Sequence, residues 1–268
     1  MPIIAKICLT ACLLTALYFL YQIFEHRVLL FTHTKIDLGL NKKACVITDL
    51  HNCKLSDRVV RKIEKEAPDF IFLAGDMITD KAEKQDHALN AIKALVSIAP
   101  VYYSFGNHEL KFKDNRPDAW NDFLNRLPDG CVLMDKNMQL EIADDIELYA
   151  INLRREIYKK GRVYDISGEQ TKIFDPVSHN KKKILLAHNP DFYDYYKRVV
   201  DADLTISGHL HGGLVRLPFI GGLLFTTYGV KHRSKGLYEG NHLVSAGAGD
   251  HSVQMRIFNR CEINILHL

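Results

Sequence analysis

No C-x-x-C pair occurs in this sequence. Of the six cysteines, Cys8 and Cys12 lie in an N-terminal apolar run, and Cys45, Cys53, Cys131 and Cys261 are scattered. That spacing excludes a four-cysteine zinc site and a disulfide framework, so all six read as free thiols. Net charge is nearly absent as well: 35 basic and 32 acidic side chains leave +3 over 268 residues. A chain so balanced has no electrostatic footprint for nucleic acid. Internal repeats, low-complexity tracts and linkers are missing after the first 27 residues, which excludes repeat arrays. What is present is 47% hydrophobic and long enough to bury a sizeable core.

Residues 7–24 form an uninterrupted run of 18 uncharged residues. As a helix the run measures about 27 Å, enough to cross a hydrocarbon core. Tyr18 and Tyr21 lie toward one end, where interfacial aromatics belong. Signal-peptide cleavage needs a small-x-small site, and Tyr18-Phe19-Leu20-Tyr21-Gln22 is too bulky. The expectation is an uncleaved, single-pass membrane anchor over residues 1–27, followed by one domain over residues 28–268. Lys6 flanks one end of the run, and Arg27, Lys35, Lys42 and Lys43 follow the other. The side of the membrane on which the domain sits stays open.

After the anchor the chain alternates short apolar strands with amphipathic helices. Strands are expected at residues 28–31, 44–48, 70–74 and 101–105, with helices at 56–66 and 82–97 between them. Strand–helix alternation of this kind builds parallel sheets with crossover helices. A helix is expected at 119–127, then antiparallel strands at 132–134, 139–142 and 147–151. Residues 154–183 read as a polar loop, or as a basic rim that attracts anions. Strands follow at 183–187 and 204–206, with closing strands in the last quarter.

Five of these strands end in residues that can ligate a metal. The first ends in Asp49-Leu50-His51 and the second in Gly75-Asp76. The third ends in Gly106-Asn107-His108-Glu109, the fourth in His188, and the fifth in Gly208-His209-Leu210-His211. In open α/β sheets, ligands bind beyond the carboxyl ends of the strands, where these side chains would converge. The inventory is two carboxylates, one amide oxygen and four imidazoles, with His108 left over. Seven donors exceed one tetrahedral ion and suit two ions that share a carboxylate. The nitrogen-rich set favours Mn, Fe, Zn or Co over Ca or Mg.

In this order, D-x-H, G-D, G-N-H-E, H and G-H-x-H, the sequence resembles the calcineurin-like metallophosphoesterases. The resemblance covers residues 44–268. It is strongest toward the membrane-anchored bacterial YkuE/YaeI-like branch, through Ala187-His188-Asn189-Pro190-Asp191 and the stretch from Ser207-Gly208-His209 to Arg216-Leu217-Pro218. It implies an α/β fold, a β-sandwich flanked by helices (α/β/β/α). It further implies one ion on Asp49, His51, Asp76 and His211, and a second on Asp76, Asn107, His188 and His209. A bridging hydroxide would attack a phosphoester while His108, pointing away along an extended turn, acts as leaving-group acid. Leu210 stands where threonine is commoner and touches no ligand.

Substrate is read only coarsely. Leu214, Leu217, Phe219, Ile220, Leu223, Leu224 and Phe225 follow the metal loop. They are either core or an apolar lip suited to an amphiphilic, membrane-associated phosphoester. Related enzymes hydrolyse the pyrophosphate of UDP-diacylglucosamine, but no motif here selects it. A non-catalytic scaffold is the other alternative. Such scaffolds lose ligands or the acid histidine, and none is missing here. Oligomeric state is left open.

Overall fold

A computed structural model describes residues 2–135, 138–158, 180–213, 215–217, 219–223, 230–231, 233–249 and 256–268. The elements in chain order are α1 (Ile3–Arg27), β1 (Leu30–Lys35), β2 (Lys43–Ile47), α2 (Asp57–Glu66), β3 (Phe70–Ala74), α3 (Asp86–Val96), β4 (Val101–Ser104), α4 (Asn107–Asn115), α5 (Pro117–Asn125) and β5 (Cys131–Met134). There follow β6 (Met138–Ala143), β7 (Ile146–Ala150), β8 (Lys182–Leu186), α6 (Tyr193–Val199), β9 (Leu204–Ser207), β10 (Val215–Leu217), β11 (Gly221–Leu223), β12 (Val230–Lys231), β13 (Gly236–Tyr238), β14 (His242–Val244) and β15 (Glu262–His267).

Two six-stranded sheets carry the fold, in the orders β1-β15-β2-β3-β4-β5 and β13-β14-β9-β8-β7-β6. Strands β2 to β5 run parallel, as do β7, β8, β9 and β14. Parallel strands covered on both faces read as continuous apolar runs, and β3, Phe-Ile-Phe-Leu-Ala, is buried at every position. Its alternate side chains go to different layers. Phe70, Phe72 and Ala74 pack with Leu148, Ile184 and Ile206 of the second sheet. Ile71 and Leu73 pack against Ile63, Leu89, Ile92 and Trp120 of the helices. The far face of the second sheet is covered by Tyr195, Tyr196 and Val200. The layers are therefore α/β/β/α, as expected.

Three elements depart from the sequence reading. Residues 132–134 form β5, which pairs in parallel with β4 in the first sheet rather than joining the antiparallel strands. Helix α6 was not expected, and neither was α4. Only Leu110 and Phe112 are apolar within Asn-His-Glu-Leu-Lys-Phe-Lys-Asp-Asn, too few for a helical stripe. Asn107 and His108 thus begin a helix; they do not lie on an extended turn. Of the apolar stretch after the loop of His209 and His211, Leu214, Leu224 and Phe225 lie outside the described residues, as does 159–179 of the polar loop. Strands β10 and β11 pair as a hairpin whose tip leaves Phe219 and Ile220 exposed.

Helix α1 is apolar all round, with a mean hydropathy of 2.2 over its most apolar 18 residues. Its large apolar side chains from Ile3 to Phe24 are exposed, whereas Glu25, in the last turn, is buried.

Candidate metal centre

The loops after β2, β3, β4, β8 and β9 all open at one edge of the sandwich, because these strands run in parallel within their sheets. Among the described residues they bring together three groups of donors. These are Asp49, His51 and His211; Asp76, His188 and His209; and His51, Asp76 and His108. Within each, the donor atoms all lie within 4.8 Å of one another. Asp49, Asp76, His51, His188 and His211 are buried.

Backbone shape aims these side chains. Asp49, His51, Asp76, His209 and His211 have φ of 51°, 49°, 54°, 70° and 49°. Left-handed backbone costs a non-glycine residue roughly 1–2 kcal/mol, and it concentrates where function requires it. The motif glycines serve the same end. A Cβ at Gly106 would fall 2.3 Å from Asp76 Oδ1, and one at Gly208 2.3 Å from Asp49 Oδ2.

The donor set fits divalent ions. His188 Nδ1 donates to the Ala74 carbonyl at 2.8 Å, which leaves Nε2 as the bare nitrogen, 3.1 Å from Asp76 Oδ2. Two lone pairs facing at that distance call for positive charge between them, from a proton or from a metal. His51 Nε2 and His211 Nε2 face each other at 3.2 Å, and Asp49 Oδ1 lies 3.6 Å from His211 Nε2. Asn107 Oδ1 is buried with no hydrogen-bond partner, which is costly unless a cation accepts its lone pairs. Burial alone would raise the Asp76 carboxyl. The His188, His108 and His51 imidazoles override it and hold the group well below the usual carboxylate range. Burial would likewise lower His188, but Asp76 and Asp49 push it up. His209, by contrast, is held well down by burial and by the charge on His188.

Four further residues were not singled out from the sequence. Glu109, within the G-N-H-E motif, is buried and ties two loops together. Its Oε2 accepts from Asp76 N at 2.9 Å and Gly106 N at 2.7 Å. Its Oε1 accepts from Met77 N at 2.8 Å, Ile78 N at 3.2 Å and the Tyr103 hydroxyl at 2.7 Å. The return to Gly106 is a capping-box contact that starts α4. Burial, then the nearby Asp76 charge, raises the Glu109 carboxyl. The substitution E109Q turns one of these oxygens into a donor facing donors. It should cost about 3 kcal/mol in urea denaturation of the chelator-treated protein.

Asp80 is the second. Its Oδ1 lies 2.5 Å from His108 Nδ1, and that hydrogen bond is the main reason its carboxyl falls to about 2. Burial would lower His108, but Asp76 and Asp80 raise it. The His108 ring meets His51 edge-on with centroids 4.6 Å apart. Asn259 and Arg256, far along the chain, hold the His211 loop: Asn259 Nδ2 donates to the His211 carbonyl at 2.7 Å. No spacing in the sequence signals either of them.

Comparison with known proteins agrees with this geometry. An uncharacterized metallophosphoesterase of Campylobacter jejuni is 28% identical over 239 residues, covering 87% of this chain and 60% of its own. One from Helicobacter pylori strain J99 is 28% identical over 244 residues, covering 87% and 61%. The phosphodiesterase YaeI of Escherichia coli is 25% identical over 214 residues, covering 75% and 70%. The chain thus spans about 60% of the length of the first two. The profile of the calcineurin-like phosphoesterases matches residues 42–213, a stretch that opens at β2 and closes on the loop of His209 and His211. A match over that much of the sequence, reaching from the first donor-bearing strand to the last, means that the chain belongs to the calcineurin-like phosphoesterase family.

Proposed function

We propose that this chain hydrolyses phosphoesters with two divalent transition-metal ions. One ion is held by Asp49, His51 and His211, the other by Asn107, His188 and His209, and Asp76 is shared. The observation that carries this reading is the place of Asp76. Its Oδ2 faces His188, and it belongs both to the group with His188 and His209 and to the group with His51 and His108. When bound, the ions supply Lewis acidity toward phosphoryl oxygens and a nucleophile at neutral pH. The remaining work falls to the chain. Glu109 keeps the Asp76 and Asn107 loops in register. His108, oriented by Asp80, gives its proton to the departing oxygen, a role worth about 10²–10⁴ in rate.

An amphiphilic substrate is favoured by one feature, the hairpin that follows the metal loop. Phe219 at its tip is fully exposed, and Ile220 and Leu217 are exposed beside it. Apolar side chains so placed suit a lipid tail held next to the site. The 25-residue helix α1 is long and apolar enough to cross a bilayer, and we assign it as a retained anchor. The E. coli relative is named a phosphodiesterase, so diesters belong among the substrates to test.

The test is a metal-reconstituted activity panel of phosphomonoesters, phosphodiesters, nucleotides and lipid-linked pyrophosphates in mixed micelles. Turnover of at least one class, lost on chelation and restored by Mn, Fe, Zn or Co, is expected. A reconstituted protein that turns over none of them would leave the scaffold reading in its place.

A further inference from the structure

The segment at residues 256–261 touches two parts of the molecule that the function treats as separate. On one side it meets the last turns of α1. Gln22 Nε2 donates to the Arg256 carbonyl at 2.9 Å, and Arg256 N donates back to Gln22 Oε1 at 3.0 Å. Phe258 N donates to the Tyr21 hydroxyl at 2.8 Å. Asn259 N donates to Glu25 Oε2 at 2.8 Å, and Cys261 N to the Glu25 carbonyl at 3.1 Å. Five hydrogen bonds thus join the helix end to one short stretch, and Glu25 is only 3% exposed.

On its other side the segment holds the metal loop. Asn259 Nδ2 donates to the carbonyls of His211, at 2.7 Å, and of Gly213. These two carbonyls belong to the left-handed run of His211, Gly212 and Gly213, with φ of 49°, 75° and 75°. Arg256 is fully buried. It braces the Ala246 and Gly249 carbonyls at 3.2 and 3.3 Å, and its Nη2 lies 3.3 Å from His211 Nδ1.

We propose that the last turns of α1 are part of the scaffold of the metal centre. Glu25 fixes the backbone of Asn259, and Asn259 fixes the His211 turn. Both are positioning residues that touch no substrate. The folded unit then begins near Tyr21 and not at residue 28. Cleavage beyond Tyr21 would strip partners from Arg256, Phe258, Asn259 and Cys261, so the last turns of the helix stay on the mature chain. The brace acts on the Asp49, His51 and His211 side, where Asn259 and Arg256 reach His211.

The inference rests on the two-ion reading of the site and not on hydrolysis. The test uses the full chain in detergent, stripped of metal and titrated with Zn²⁺ against a competing chelator. In E25A, one of the two binding steps should weaken by about 10–100-fold, the usual effect of losing a residue that orients a ligand, and the other should hold. E25Q keeps an acceptor for Asn259 N and should bind as the wild type does. N259A should match E25A, and the double variant should be no worse than either, because both cut one path. Amide exchange of the metal-free protein gives a second readout. Gly213 N, which donates to Leu210 O, should exchange about ten-fold faster in E25A, with β3 unchanged. If E25A does not fold, Q22A cuts the neighbouring pair and is read in the same way. Unchanged binding and exchange in E25A would overturn the brace, and so would equal losses in both steps or equal losses in E25A and E25Q. A wild type that binds two ions and cleaves nothing would end the hydrolase reading and leave the brace standing.

Discussion

D76N should take the protein from two metal equivalents to one or fewer. It should cut kcat/KM by about 10³-fold or more, about 4 kcal/mol of transition-state stabilisation. Asp76 is 1% exposed, and both its oxygens are committed. Oδ1 accepts from His108 N at 2.7 Å, and Oδ2 faces the bare His188 Nε2 at 3.1 Å. An amide at this position removes one of the two carboxylate charges opposed to the ions. If its NH₂ turns toward His188, it also satisfies that nitrogen without a metal. The loss should be the same for good and poor leaving groups, since what is damaged is the holding of the ions. Elemental analysis of protein purified without chelator measures the metal. Two equivalents retained in D76N would end the assignment of Asp76 as the shared ligand.

His108→Ala should behave differently. Both ions should remain, because the ligands proposed for each ion do not include His108, and the fold should hold. Rate on alkyl phosphoesters, whose leaving alkoxides have high pKa, should fall by about 10²–10⁴-fold. On p-nitrophenyl esters the loss should stay within about ten-fold, because that oxygen departs without a proton. D80N should follow the same pattern at smaller amplitude, since Asp80 only holds the Nδ1 side of the ring. Equal losses on both ester types, with metal content intact, would refute the acid role and leave His108 as a donor that positions phosphate.

That the candidate donors gather at one edge was legible because each follows a short apolar run. Such runs mark strands buried on both faces, and parallel strands deliver their carboxyl ends to one edge. Phe70–Ala74 before Gly75-Asp76 is the clearest case. Helix α4 was not legible. Its start is set by Glu109 reaching back to Gly106, a local hydrogen bond that leaves no apolar period. Asp80 was likewise invisible as a partner of His108, since nothing in a spacing of 28 residues marks a contact.

By itself the sequence determined the order of the donors, the parallel core and the apolar first helix, because composition and periodicity are local properties that a chain carries before it folds. Tertiary structure alone decided the rest. It placed Asp76 in two of the three donor groups and bent five candidate donor residues into left-handed backbone. It also brought Glu25 of the first helix to Asn259, 234 residues away, and through Asn259 to His211. Those contacts depend on which strands pair and which loops meet, and each is repaid only once the whole core is assembled around it.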